Sequence, residues 1–158
     1  VRRGRLAALI AMAAVCNPCV ANSNLCWEQA GARYGVDPLL LYSIAQKESR
    51  LRNDAVNRNR NGTEDVCMMQ INSTHFAQLA QWGITRERLL ADPCICINVG
   101  AWVLSSNYSH YGVEWRRGID WQGVGAYNAG TAENSAQQAR RERYWRDVES
   151  IYRGYVGR

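Results

Sequence analysis

Glu48 sits where a carboxylate is costly unless it has a task. Leu41, Ile44 and Ala45 recur at i, i+3 and i+4, the apolar stripe of a helix, and Glu48 extends that stripe at i+7 from Leu41. Partial burial disfavours the charged form of a carboxyl group and raises its pKa. An acid still protonated near neutral pH can protonate a leaving oxygen, as glycosidic bond cleavage requires. The bland reading is an ion pair with Arg52 at i+4, and spacing alone does not separate the two. Asp65, in the polar run Asn57 to Asp65, offers a second carboxylate, either beside the first or as a turn residue bonding its own hairpin backbone. Other chemistries find no footing. Ser73 and His75 belong to no G-x-S-x-G elbow, and His75 and His110 stand apart from the cysteines, so no metal is expected.

The elements that must carry these groups read as mostly helical. Trp27, Ala30, Gly31 and Tyr34 repeat at helical spacing up to Gly35. Asp37-Pro38 opens the helix bearing Glu48, with Asp37 as N-cap and Pro38 at the first helical position. Asn61-Gly62 predicts a hairpin within residues 53–72. Helical pattern resumes near Ser73 and ends around Trp82-Gly83, and Thr85 caps a short helix. Asp92-Pro93 begins a long helix through Tyr108, Asp120 starts one that closes at Gly130, and a final helix carries Tyr144, Val148, Ile151, Tyr152 and Tyr155 on one stripe. Trp27, Trp102 and Tyr108 read as core. Trp82, Trp115 and Trp121 are candidates for stacking on a ligand, with nothing to select one.

With 47% apolar and 21% charged residues, the chain has the composition of one ordinary globular domain. It contains no run of 18 apolar residues, so no membrane-spanning helix is expected. Arg2, Arg3 and Arg5 before the short apolar stretch Leu6–Val15 predict a secretory signal over residues 1–21, cleaved after Ala21 (a weaker site follows Ala13). The mature domain, 22–158, then holds 16 of the 19 basic residues against 14 acidic ones. Its near-neutral balance, and the interruption of Arg140, Arg141, Arg143, Arg146, Arg153 and Arg158 by Glu142, Asp147 and Glu149, argues for a solvated helix face rather than a nucleic-acid site. Cys26, Cys67, Cys94 and Cys96 read as two disulfides in an oxidising compartment. Cys94 and Cys96, two apart on a helix, point away from each other, which leaves Cys26–Cys94 with Cys67–Cys96 or the crossed pairing.

Glu48-Ser49, the run Asn57 to Asp65, Met68-Met69-Gln70-Ile71-Asn72-Ser73 and Ala126-Tyr127-Asn128-Ala129-Gly130, in that order, resemble the lytic transglycosylases of the lysozyme superfamily. The likeness is strongest to the small exported type associated with invasion, secretion, conjugation and pilus machines. It covers roughly residues 25 to 130, including Leu25-Cys26-Trp27 and Asp92-Pro93-Cys94, and weakens over the final helix. It implies a lysozyme-like α+β domain, predominantly helical, with a small β-hairpin and two disulfides. It also implies a periplasmic enzyme that cuts the β-1,4 bond between N-acetylmuramic acid and N-acetylglucosamine in peptidoglycan, leaving a 1,6-anhydro end and needing no cofactor.

By the same resemblance Glu48 is the catalytic acid and base, and Ser49 shapes the cleft. Met69, Gln70 and Ile71 line its floor, and Tyr127 and Asn128 face the sugar and hold the acid. The family pairing is Cys26–Cys94, which leaves Cys67–Cys96 as an addition. Cys67 stands where the pattern has glycine; if that glycine serves a positive φ angle, Cys67 is strained there, and its disulfide either offsets the strain or narrows the cleft. Asp65 matches the second catalytic aspartate of animal-type lysozymes, which makes a water-using hydrolase the rival; a non-catalytic wall-binding assembly module is another. In the transglycosylase reading Asp65 supports the cationic sugar.

Overall fold

The computed structural model describes residues 23–113 and 118–157. The expected leader over 1–21, Trp115 and Arg158 lie outside them. The chain runs α1 (Ser23–Tyr34), α2 (Pro38–Ser49), β1 (Val56–Arg58), β2 (Glu64–Val66), β3 (Ile71–Asn72), a 3-10 turn (Ser73–His75), α3 (Phe76–Gln81), α4 (Arg86–Ala91), α5 (Pro93–His110), α6 (Trp121–Ala129) and α7 (Ser135–Val156). Helix starts follow the caps in the sequence. Asp37, Thr85, Asp92 and Asp120 each accept backbone N–H groups of the first turn of α2, α4, α5 and α6, satisfying donors that helix termini leave free.

Helix α5 is buried on several sides, through Cys96, Ile97, Val99, Ala101, Leu104 and Tyr108, because it passes between α1, α6 and the sheet. Leu40, Leu41 and Ile44 of α2 complete the core against it. The structure pairs Cys26 with Cys94 and Cys67 with Cys96, fixing both ends of the first turn of α5 to the rest of the chain. Trp27 and Tyr108 are core, as their spacing predicts. Trp102 is only partly buried, because Trp82, half exposed, and His75 cover it edge-on from the surface side.

The expected single hairpin is present and extended. β1 and β2 pair antiparallel across a turn where Asn59 N–H donates to the Thr63 carbonyl at 2.8 Å and Gly62 takes φ +84°. A third strand, too short for an alternation signal, then pairs β3 on β2, placing Asp65 opposite Asn72. The solvated-face reading of the final helix holds for most of its arginines but not Arg141. That side chain is 6% exposed and donates to the carbonyls of Gly130 and Ala132, stitching the α6–α7 connection.

Close approach of α6 and α7 depends on Gly125. A Cβ there would fall 2.7 Å from the Arg141 carbonyl oxygen and from its Cβ, backbone and near-backbone atoms that cannot swing aside. Gly154, in contrast, has open space around it. Gly125→Ala is expected to cost about 1–3 kcal/mol in urea unfolding. Gly154→Ala should be neutral or stabilising by up to about 1 kcal/mol, since alanine is the better helix former.

Candidate functional site

Glu48 is the penultimate residue of α2, and its carboxyl group lies at the junction of that helix, the sheet, α6 and α7. Tyr144 Oη of α7 donates to Glu48 Oε1 at 2.5 Å. Burial, above all, pushes the Glu48 pKa up from 4.5 to about 7; the Tyr144 hydrogen bond opposes this, the Asp65 charge adds to it and the Lys47 charge subtracts from it. The bland alternative, a pair with Arg52, does not form: Arg52 Nε donates to the Ser49 carbonyl instead. The carboxyl oxygen not engaged by Tyr144 is left to carry a proton, which is the state a general acid requires.

Asp65 faces the same groove from β2. Its Oδ1 accepts from Asn72 Nδ2 at 2.7 Å and its Oδ2 from Asn59 Nδ2 at 2.9 Å. Both amides are further held by the Thr63 hydroxyl. The aspartate is therefore not a turn residue bonding its own backbone. It is an oriented carboxylate clasped by neutral donors, with no ion-pair partner among the described residues.

Between them runs a groove of about 700 Å³, lined by Glu48, Asp65, Gln70, Ile71, Tyr127 and Asn128 among others. Of the residues expected in contact with substrate, Ser49 and Met69 stand behind the wall. Ser49 is buried; its hydroxyl donates to the Met68 carbonyl and accepts the Arg52 N–H. Met69 is fully buried, and its carbonyl accepts Tyr127 Oη at 2.8 Å. The expectation that Tyr127 and Asn128 hold the acid is corrected accordingly. Tyr127 braces the floor, Asn128 is an exposed residue of the groove wall, and Tyr144 is the group that clasps Glu48. Burial, with the Glu48 charge beside them, keeps both tyrosine phenols protonated far beyond their usual range.

The floor turn meets the condition for strain at Cys67 and adds a second position. Cys67 adopts φ +61° and Gln70 φ +49°, conformations that favour glycine. They persist because the turn is tied from every direction. Cys67 N–H donates to the Ala55 carbonyl, its sulfur bonds Cys96, and Gln70 Nε2 returns to the Cys67 carbonyl at 2.9 Å. Among the described residues no tryptophan lines the groove. Trp121 packs on Trp145 and Tyr152, and Trp82 lies beside a separate cavity bounded by α1 and α5. Ser73 Oγ accepts the Glu64 N–H and makes no pair with His75. No group of three or more potential metal ligands occurs among the described residues.

Three participants escape the sequence reading. Tyr144 looks like one more apolar residue of the α7 stripe, although a tyrosine hydroxyl at a core position needs a partner, and that was its signal. Asn59 and Asn72 gain meaning only once the three-stranded register is known.

Comparison with known proteins agrees with this geometry. The transglycosylase SLT domain matches residues 25–150. The invasion protein IagB of Salmonella typhimurium is 41% identical over 132 residues, 84% of this chain and 78% of that protein. Protein IpgF of Shigella flexneri is 40% identical over 131 residues, 83% and 79% of the two chains. Among solved structures, an inactive mutant of the lytic transglycosylase Slt from Pseudomonas aeruginosa superposes with a TM-score of 0.61 at 19% identity. That match spans 85% of this chain and 24% of the other, and it speaks for the fold.

Two outcomes follow from the way the Glu48 proton is held. In pH profiles of kcat/KM, activity should fall as pH rises through about 7. Tyr144→Phe removes a bond to the charged form and should move that limb to higher pH; Asp65→Asn removes a repelling charge and should move it lower. For stability, the folded pKa of about 7 exceeds the unfolded 4.5, so the native state keeps a proton that the unfolded chain releases, and stability drops as pH rises across that window. Glu48→Gln abolishes the drop. Its gain over the parent in chemical unfolding should grow from pH 4.5 to pH 8, reaching at most about 3 kcal/mol.

Proposed function

Because the chain belongs to the transglycosylase SLT domain family, as a peptidoglycan lytic transglycosylase, we propose that it cleaves the β-1,4 bond between N-acetylmuramic acid and N-acetylglucosamine and closes a 1,6-anhydro ring. The observation that carries this reading is the Glu48 carboxyl at the groove wall, clasped by Tyr144 and sheltered enough that its pKa rises to about 7.

In this scheme Glu48 gives its proton to the glycosidic oxygen as the C1–O bond breaks. The electron pair leaves with that oxygen, and positive charge develops on the muramic acid ring. Asp65, oriented by Asn59 and Asn72, supports that charge or aligns the N-acetyl group that shares it. The Glu48 carboxylate then accepts the proton of the C6 hydroxyl while O6 attacks C1, and the acid is restored in its starting form. One carboxyl group works twice, which suits a pKa close to neutral.

A hydrolase that uses water and both carboxylates is the reading that Asp65 favours, since it faces Glu48 across the groove and raises its pKa. We further place the enzyme in the periplasm, in keeping with its two disulfides and the signal-like residues 1–21. Its task there is to open the wall locally for an envelope-spanning apparatus, a role suggested by its likeness to a protein named for invasion.

Mass spectrometry of digested sacculi tests the reaction. Anhydro-muramic ends are the expected product, and reducing ends that have taken up water would transfer the assignment to the hydrolase. Glu48→Gln should lose cleavage by at least about 10²-fold, the low end of what a positioned general acid contributes, while remaining folded. Unchanged cleavage would leave a wall-binding module as the better account.

A further inference from the structure

A second cavity, of about 750 Å³, lies where α1 and α5 meet the turn that follows α3. It shares no lining residue with the catalytic groove. A ring contact forms the partition: His75 lines the groove, Trp102 lines the second cavity, and their rings meet edge-on at 5.5 Å. Trp82 meets Trp102 in turn, perpendicular at 5.3 Å, and keeps 52% of its surface exposed in the cavity wall.

The walls combine ring surface with polar groups that the fold does not use. Tyr34 joins the two tryptophans. Asn98 gives its amide N–H to the Cys94 carbonyl at 2.9 Å, which leaves its Oδ1 without a donor among the described residues. Gln29, exposed on α1, makes no side-chain hydrogen bond among the same residues. Arg33 and Arg88 supply positive charge, and no Asp or Glu lines the cavity.

Resting on the reading of the chain as a peptidoglycan-cleaving enzyme, we infer that this cavity is a second, non-catalytic glycan-binding site that holds the enzyme on the wall. A pyranose ring offers a C–H face to an indole and a rim of hydroxyl and amide groups to Asn98 and Gln29. The cationic balance suits a strand that carries lactyl and peptide carboxylates. A protein partner fits this surface less well. A stable protein interface needs about 800 Å² on each side with a broad apolar centre. Among the described residues Trp82 is the one large exposed apolar side chain of this cavity. An insoluble substrate gives the site its use: the groove releases its product after each cut, while a hold one ring pair away keeps the acid beside the wall.

Two substrates test this: insoluble sacculi, and a soluble strand of two disaccharide repeats, short enough to be held by the groove alone. Glu48→Gln allows binding to sacculi to be followed by co-sedimentation without cleavage. In that background Trp82→Ala should weaken binding roughly three- to tenfold, the scale of one lost aromatic contact, and Trp82→Tyr should retain part of it. Gln29→Ala, at an exposed helix position that alanine suits, should weaken it roughly two- to fivefold. With Glu48 intact, the same changes should slow release of soluble fragments from sacculi and leave kcat/KM on the two-repeat strand unchanged. Undiminished sacculus binding in both variants overturns the inference and makes a protein segment the better occupant. Equal losses on both substrates also overturn it, because Trp82 would then act by supporting Trp102 and His75 at the groove. A parent that cuts neither substrate overturns the underlying reading, and this one with it.

Discussion

A carboxyl group half withdrawn from water where α2, the sheet, α6 and α7 meet, yet lining a groove, is the constraint around which this molecule is arranged. Burial alone would leave Glu48 protonated through a wide pH range and reluctant to act as a base. The single hydrogen bond from Tyr144, helped by Lys47, draws the pKa back to about 7, where gift and recovery of a proton are of comparable difficulty. That balance is met only if α7 stays within reach of α2 over a separation of 96 residues. The close approach at Gly125, the buried Arg141 and the Lys47–Asp147 pair all bear on the distance between these two helices, directly or through α6.

The opposite wall solves a different problem: holding a short, irregular segment still. Residues 67–70 connect β2 to β3 with two non-glycine residues in left-handed conformations, which is unfavourable in isolation. Their supports come from α2 through Ser49, from α5 through Cys96, from the residue before β1 through Ala55 and from α6 through Tyr127. Each support is a bond to the backbone or to the disulfide, and the Gln70 side chain adds one more by returning to the Cys67 carbonyl. Ser49 and Met69 act through this buried framework, which is why they do not meet the substrate surface.

Charge is distributed in keeping with this division. Asp65 faces the groove held by two side-chain amides rather than by an ion pair. Glu64, its neighbour in β2, points elsewhere and is neutralised by Arg86, which keeps its carboxyl below the usual range. Alternation along a strand sends adjacent side chains to opposite faces, and here it separates a groove-side carboxylate from an ion-paired one.

Local pattern was enough to read much of this chain. Helix starts at Asp37, Thr85, Asp92 and Asp120, the turn at Asn61-Gly62 and the buried face that carries Glu48 all depend on residues within about seven positions of one another. Such short-range rules hold whatever surrounds them. That Cys67 replaces a family glycine flagged the turn for a similar reason, since it is a property of a few consecutive residues, although the positive φ itself came from the structure. The partner of Glu48, the amide clasp on Asp65 and the meeting of Gln29, Trp82 and Trp102 at one cavity were decided elsewhere. Each joins segments whose spacing in the chain carries no trace of their distance in space. Tyr144 and Val148 are equivalent on a helical stripe; only the packing of α7 on α2 determines which of them meets a carboxyl group, because periodicity fixes the face of a helix and not what that face will touch.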